Sequence, residues 1–197
     1  RKKIKDFDSY ADQLKQRLDP SVTIMQGINS QIKKKQKRII FTDGEDQNTL
    51  KAAIAFKKSG LGIPILVAKE KIVKDKLKEI GYSENFDIEI VNSKSKKNRD
   101  KYLKHIFKKL HGDKGELEPD IYELYLKDCE RIMKNDRVVL GSCMVSCGDA
   151  DAMVTGNTRR YGQSLDKVLK VVDSRPGEIM FGLNMIVNKG KTVFIGD

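Results

Sequence analysis

Short apolar runs alternate with helix-patterned segments through the middle of this 197-residue chain, and that alternation constrains its fold more than any other feature. The apolar runs occupy residues 39–41, 63–68, 87–91 and 151–155. Helical spacing fills most of the intervals between them, at residues 45–61, 69–80, 98–110, 119–133 and 135–147. Since right-handed crossovers place such helices against the sheet, the pattern predicts an α/β fold, with a parallel sheet flanked by helices on both faces.

The two ends of the chain carry a different pattern. Residues 1–36 predict a helical lead-in or linker, and residues 37–176 contain the α/β domain. Residues 177–197 hold two apolar runs joined by the sequence NKGK, which indicates a hairpin. An isolated hairpin is marginal in water, so either these strands pair with another chain or, as we expect, they are the first strands of a second, smaller subdomain that is truncated here.

Composition limits the classes of function. No run approaches the ~20 apolar residues of a membrane helix, and no signal peptide is visible, so we expect a cytoplasmic protein without a membrane partner. The three cysteines, Cys129, Cys143 and Cys147, form no CxxC pair, and the chain has two histidines. Buried thiols are therefore predicted, and neither a disulfide framework nor a structural zinc site.

The formal net charge of +11 raises the question of a nucleic-acid partner. The basic clusters fall at predicted helix ends and loops, and aromatic residues make up 7% of the chain, whereas a nucleic-acid surface favours one basic face with interleaved aromatics. We interpret the clusters as solvated faces and keep a basic nucleic-acid-binding module as a third alternative. A positive field also raises the local concentration of phosphate-bearing small ligands.

The strongest candidate site follows the apolar run 151–155. Its loop supplies hydroxyl and guanidinium donors just before a helix predicted at 163–172, which suits a phosphate or a carboxylate. The anion-binding residues predicted there are Thr155, Gly156, Asn157, Thr158, Arg159, Arg160, Tyr161 and Ser164. The alternative is a surface loop whose arginines pair with neighbouring carboxylates.

A second candidate is the turn at Asp43 and Gly44, between the first apolar run and the first helix. This is the usual anion position of an α/β sheet, but neither GxGxxG nor a P-loop is present. We favour Asp43 as a simple helix N-cap and keep both residues as candidate ligands. Asp149 and Asp151 are likewise assigned to capping, and both histidines to structural positions. No nucleophile–base pair is recognisable, so no catalytic or metal-binding residue is predicted.

Three ordered motifs carry a resemblance to a known family. They are RIIFTDGED at 38–46, GLGIPILV at 60–67 and GDADAMVTG at 148–156, and together they resemble the phosphate acetyl/butyryl transferase family. The lead-in segments FDSY at 7–10 and RLDPS at 17–21, with TRRY at 158–161, look more like a bacterial malic enzyme.

The resemblance implies a transacetylase-like regulatory or oligomer-forming domain of an NADP-dependent malic enzyme, which oxidatively decarboxylates malate to pyruvate. It further implies a homo-oligomer that binds a small CoA ester or phosphate, with acetyl-CoA as the effector. No cofactor is expected within this segment. NADP and a divalent metal would belong to malic-enzyme domains that precede such a segment.

The chain departs from the transacetylase pattern at one position. Where transacetylases carry Thr-Leu-Arg, residues 164–166 read Ser-Leu-Asp, so Asp166 replaces the substrate-side arginine. The catalytic serine, arginine and aspartate of that family lie in a later half. The resemblance therefore favours a non-catalytic domain, and the second hypothesis is a phosphate acetyltransferase that moves acetyl between CoA and phosphate.

Overall fold

The computed structural model describes residues 6, 7, 10, 11, 14, 20–82, 87–112, 117–188 and 191–197. Most of the lead-in motifs at 7–10 and 17–21, and half of the NKGK turn, lie outside these residues. The chain divides into two compact units, residues 36–173 and a second unit of residues 1–35 with 174–197. The functional boundaries expected at residues 36 and 176 remain predictions.

Four parallel strands form the centre of the larger unit. They are β1 (Lys37–Phe41), β2 (Gly62–Val67), β3 (Glu89–Val91) and β4 (Ala152–Val154), in the order β3-β2-β1-β4. Ile40 lies opposite Ile65 on one side and Met153 on the other. The predicted α/β fold with a parallel sheet is confirmed.

The helices fill the intervals that the sequence pattern assigned to them. They are α1 (Pro20–Lys34), α2 (Gln47–Lys58), α3 (Glu70–Glu79), α4 (Lys96–His111), α5 (Pro119–Asn135), α6 (Arg137–Ser146) and α7 (Tyr161–Leu169). The last of these begins two residues earlier than expected, so Tyr161 lies in its first turn rather than in the preceding loop.

Alternating side chains of the strands bury the two faces of the sheet under different helices. Phe41 and Leu66 pack with the apolar faces of α2 and α3. Ile40 and Ile65 point the other way, into a cluster built from α4, α5 and α6. Each fully buried Leu or Ile contributes about 1.5–3 kcal/mol of transfer free energy. The helices therefore cover both faces, as predicted.

Helix α6 approaches the sheet closely at Gly141. A Cβ at this position would lie 2.7 Å from the Met153 sulfur and 2.9 Å from Cγ2 of Thr42. The missing side chain thus lets α6 lie directly on β1 and β4, beside the carboxyl ends of those strands.

The smaller unit contains an antiparallel hairpin of β5 (Leu183–Asn188) and β6 (Lys191–Gly196). Helix α1 lies against β5. Apolar side chains on both faces of the hairpin stay about half exposed, among them Leu183, Ile186, Val193 and Phe194. The predicted second, smaller sheet is confirmed. Within the described part of the chain, no helix is long and apolar enough to cross a membrane.

Candidate functional site

The strand order creates a switch point between β1 and β4. The chain runs from β1 outward to β2 and β3, then returns to place β4 on the other side of β1. In open α/β sheets, ligands bind in the crevice beyond the carboxyl ends of strands at such a point. Thr42 follows β1 and Thr155 follows β4, and their hydroxyl oxygens lie 2.8 Å apart.

Asp43 joins the two loops that meet at this point. Its side chain is buried and accepts hydrogen bonds from the Asn157 backbone N–H at 3.1 Å and from the Thr158 hydroxyl at 2.6 Å. The favoured interpretation of Asp43 as a helix N-cap is wrong. Asp46 is the N-cap of α2 and accepts from the Thr49 N–H at 2.8 Å, because it directly precedes the first helical residue.

Asn157 ties the second loop to the start of α2. Its side-chain amide donates to Asp46 at 2.7 Å and to the Thr49 hydroxyl at 3.2 Å. The pKa of Asp46 is lowered, chiefly by the hydrogen bond from the Thr49 backbone. Gly44 packs instead against β2, since a Cβ there would lie 3.0 Å from Cβ of Leu66. The fold therefore brings Asp43 together with residues 155–158, while Gly44 serves packing.

The two loop arginines differ in their surroundings. Arg159 contacts both carboxylate oxygens of Asp136, at 2.9 and 2.8 Å. Asp136 also caps α6 by accepting from the Val138 N–H at 2.9 Å. Arg160 is exposed at the N-cap of α7, and its guanidinium makes no hydrogen bond or ion pair within the described residues. Arg159 therefore pairs with a neighbouring carboxylate, whereas the guanidinium of Arg160 is available to a ligand.

The start of α7 supplies further donors. The N–H groups of Tyr161, Gly162 and Gln163 precede the first intrahelical bond, which Ser164 makes at 3.2 Å. The Ser164 hydroxyl is buried and has no hydrogen-bond partner in the part of the chain that the structure describes. It lies near Gly156, where a Cβ would be 3.9 Å from its oxygen. These groups can hold one small anion at a positive helix end.

A cleft of about 660 Å³ opens beside the loop. It is lined by the cations Arg159, Lys167 and Lys170 and by the carboxylates Asp136 and Asp166. Asp166 thus lines the same cleft as the loop arginine Arg159. Mixed charge makes the cleft a weaker attractor of a dianion than a purely cationic one.

The aspartates that flank Ala150 lie at the amino end of β4, away from the switch point. The backbone N–H of Asp149 closes α6, but its side chain accepts from the Tyr102 hydroxyl at 2.7 Å and from Lys101 at 2.6 Å. These contacts, Lys101 first, lower the pKa of Asp149. Asp151 accepts from the Arg38 backbone N–H at 2.8 Å. The expectation that capping explains both side chains is wrong, because each anchors a strand or helix distant in sequence.

The cysteines are less uniform than expected. Cys129 and Cys143 are buried, and burial raises the pKa of these thiols to about 11 and about 12. Cys147 is exposed, which corrects the prediction for that residue, since it lies at the C-terminal end of α6 rather than on its inner face. Among the described residues, no group of three His, Cys, Asp or Glu side chains is placed to hold a metal ion.

Both histidines lie on α4, as part of its packing. Nε2 of His105 is buried and has no hydrogen-bond partner among the described residues. The His111 ring stacks on Tyr125 with the ring centres 4.0 Å apart.

Comparison with known proteins identifies what this arrangement is similar to. The family model described as phosphate acetyl/butaryl transferase matches residues 23–197. An NADP-dependent malic enzyme of Rhizobium meliloti is 32% identical over 198 residues, which is 100% of this chain and 25% of the enzyme.

Two solved structures share the fold. A phosphotransacetylase from Streptococcus pyogenes superimposes with a TM-score of 0.69 and 24% identity, over 83% of this chain and 46% of that protein. The EutD phosphotransacetylase from Staphylococcus aureus gives a TM-score of 0.74 and 16% identity, over 88% and 49%. The chain therefore spans about a quarter of the similar malic enzyme and just under half of each solved structure.

Proposed function

This chain belongs to the phosphate acetyl/butaryl transferase family, and on that premise we propose that it is a regulatory domain of an NADP-dependent malic enzyme. Its ligand is a CoA ester, with acetyl-CoA as the effector, and its site is the loop of residues 155–164. The parent enzyme oxidatively decarboxylates malate to pyruvate, and NADP and a divalent metal bind in domains outside this chain. The similarity to the Rhizobium meliloti enzyme extends over the whole chain and supports this assignment.

One observation carries the binding site: residues 160–164 hold several donors that have no protein acceptor among the described residues. Arg160 has no partner among the described residues, and the buried Ser164 hydroxyl has none either. The unpaired N–H groups at the start of α7 lie between them in sequence. A phosphate at the start of α7 can accept from these N–H groups and from Arg160, and each charge-assisted hydrogen bond contributes about 1.5–3 kcal/mol.

The carboxylates beside the loop favour regulation over transfer chemistry. Asp136 and Asp166 line the same cleft as Arg159. A carboxylate about 6 Å from a bound anion costs about 3 kcal/mol at an effective dielectric constant of ~20. An acyl phosphate, whose charge lies next to its acyl group, therefore binds poorly beside Asp166. In a CoA ester the phosphates are far from the acyl group, so the acyl end can lie near Asp166 without this repulsion.

The alternative is a phosphate acetyltransferase, supported by the family and by the fold shared with two phosphotransacetylases. The two functions differ in a direct assay. Formation of acetyl phosphate from acetyl-CoA and inorganic phosphate, followed by hydroxamate detection, is expected to be absent. Sustained turnover by the unmodified chain would overturn the regulatory assignment.

Calorimetry with acetyl-CoA tests binding, with Arg160 substituted and Arg159 left in place. Arg160→Ala is expected to weaken binding by about 1–3 kcal/mol, the scale of a lost charge-assisted contact. Arg131→Ala is the matched control, because it removes an exposed arginine whose ion pair in the described part of the chain is with Asp128 on its own helix, at 2.9 Å. Unchanged affinity in Arg160→Ala would show that the loop is not the site.

Asp166 provides a second, independent test. Asp166→Arg restores the transacetylase residue and is expected to tighten acetyl phosphate binding at least tenfold, while Asp166→Asn, which only removes the charge, gives a smaller gain. Equal affinities in all three proteins would contradict the role assigned to this carboxylate.

A further inference from the structure

A second basic pocket lies at the carboxyl ends of β2 and β3, and the proposed function does not use it. Its volume is about 240 Å³, and four cationic residues line it: Lys69, Lys94, Lys134 and Arg137. Lys69 follows β2 and Lys94 follows β3. The pocket is therefore built on the edge of the parallel sheet that holds ligands in α/β proteins.

The one carboxylate that lines this pocket is already engaged. Glu45 accepts from the Arg137 guanidinium at 2.6 Å and from the Lys69 backbone N–H at 3.0 Å. The ammonium groups of Lys69, Lys94 and Lys134 form no ion pair within the described ranges. Lys134 also lies close enough to Glu130 to help lower the pKa of that carboxyl, whereas Lys69 and Lys94 have no such partner among the described residues. The lining therefore carries a net positive charge, which attracts anions.

Two helix N-termini add to the positive potential. Lys69 is the N-cap of α3 and Ser95 is the N-cap of α4, and neither side chain makes a capping hydrogen bond. The helices have 10 and 16 residues, so both carry a developed dipole. Their first-turn N–H groups lack intrahelical partners and are suited to an anion.

We propose that this pocket is a second anion site, selective for a single phosphate group. Its volume lies below the ~300–1,000 Å³ of pockets that enclose whole drug-sized ligands, so it accommodates a phosphate rather than a complete coenzyme. The phosphate comes either from inorganic phosphate or from a phosphomonoester group on a larger ligand. Both present the dianion that three lysines and two helix ends recognise.

Backbone amide chemical shifts of the full chain test the proposal site by site. Titration with inorganic phosphate is expected to move the amides of residues 70–72 and 96–98 saturably, at low millimolar concentration. The double substitution Lys69→Gln/Lys94→Gln is expected to weaken this response at least fivefold. The control Lys51→Gln/Lys104→Gln removes the same charge from exposed positions on α2 and α4 and is expected to change it less than twofold.

Absence of a saturable response at residues 70–72 and 96–98, or an equal loss in both double variants, would overturn the proposal. Amides at 161–163 report the loop of residues 155–164 in the same spectra, so failure at one site is distinguishable from failure at the other. Acetyl-CoA and its 3′-dephospho form separate the two sources. If acetyl-CoA moves these amides and its 3′-dephospho form does not, the 3′-phosphate is the group bound. If neither compound moves them while inorganic phosphate does, the ligand is inorganic phosphate.

Discussion

Asp43 and Asp136 together hold the loop of residues 155–164, because the side chain of each accepts hydrogen bonds from that loop. Asp43 reaches across 114 residues to the Asn157 backbone. Asp136 caps α6 and pairs with Arg159. The loop is thereby preorganised by one buried and one partly buried acceptor, and the unpaired donors of Arg160 and α7 stay available.

Asp43→Ala is expected to destabilise the fold by about 1–3 kcal/mol, because it leaves the Thr158 hydroxyl and the Asn157 N–H without their acceptor. Urea denaturation followed by circular dichroism measures the free energy of unfolding. Asp75→Ala, at an exposed position on α3, is the control and is expected to stay within about 0.5 kcal/mol. Similar stability of both variants would mean that Asp43 does not hold the loop.

Asp149 gives the fold a predictable acid sensitivity. Lys101 and Tyr102 hold its pKa below the ordinary value, so the charged carboxylate stabilises the native state. This contribution is complete above the unfolded-state pKa of about 4 and is lost as pH falls through the lower pKa of the folded protein. Tyr102→Phe is expected to cost about 1–2 kcal/mol at pH 7, since it removes a hydrogen bond to a charged group.

The measurement is the urea midpoint at pH values from 7 to 3, for the wild type and for Asp149→Asn. The asparagine variant is expected to be less stable at pH 7 and to lose less stability on acidification. Parallel pH profiles for the two proteins would assign the acid sensitivity to other carboxylates, such as Glu130, whose pKa is lowered by Arg99.

At the scale of elements, the close contact of α6 with the sheet depends on Gly141. Gly141→Ala is expected to destabilise by about 1–3 kcal/mol from overpacking against Met153 and Thr42, which exceeds the ~1 kcal/mol gain in helix propensity. Ser142→Ala, one residue along, is expected to be neutral or stabilising, because it removes a buried hydroxyl that has no partner among the described residues. Thermal unfolding separates the pair, and a more stable Gly141→Ala protein would contradict the close approach.

Element type was predictable because periodicity records which faces are buried. The runs at 39–41 and 63–68 became β1 and β2, and the pattern at 119–133 became α5. Strand ends were less accurate: the runs at 87–91 and 151–155 shortened to β3 and β4, which pair with only the last three residues of β2 and β1.

Partners across long sequence separations were not predictable from one sequence. Asp43 and Asp46 are both plausible caps by composition, and only the position of Asn157 in three dimensions separates their roles. The loop donors were identified because their residue types cluster locally. The sequence did not show which of Arg159 and Arg160 is free, because that depends on the pairing of Arg159 with Asp136, 23 residues away. The basic pocket was missed because its four cations come from three segments far apart in sequence, near residues 69, 94 and 134–137.

The molecule as a whole carries a formal net charge of +11, but many of its basic residues are paired with carboxylates. Basic residues at the ends of strands and helices contact carboxylates, in the ion pairs Lys37–Asp151, Arg38–Glu89, Lys57–Asp87, Arg99–Glu130, Lys101–Asp149 and Arg137–Glu45. Such pairs reduce the number of cations that can displace counterions from a polyanion, although the total charge stays positive.

Nucleic-acid binding is therefore expected to be weak and only shallowly dependent on salt. A protein that neutralises Z phosphates shows a slope of about −0.9Z in log K against log salt, so a dedicated basic surface with 6–10 contacts gives a steep decline. Fluorescence anisotropy with a labelled duplex of random sequence, from about 20 to 200 mM salt, is expected to show no micromolar binding at the upper end. Micromolar affinity at about 150 mM, with a slope steeper than about −5, would establish a continuous basic face and favour the nucleic-acid module over a site for a single phosphate.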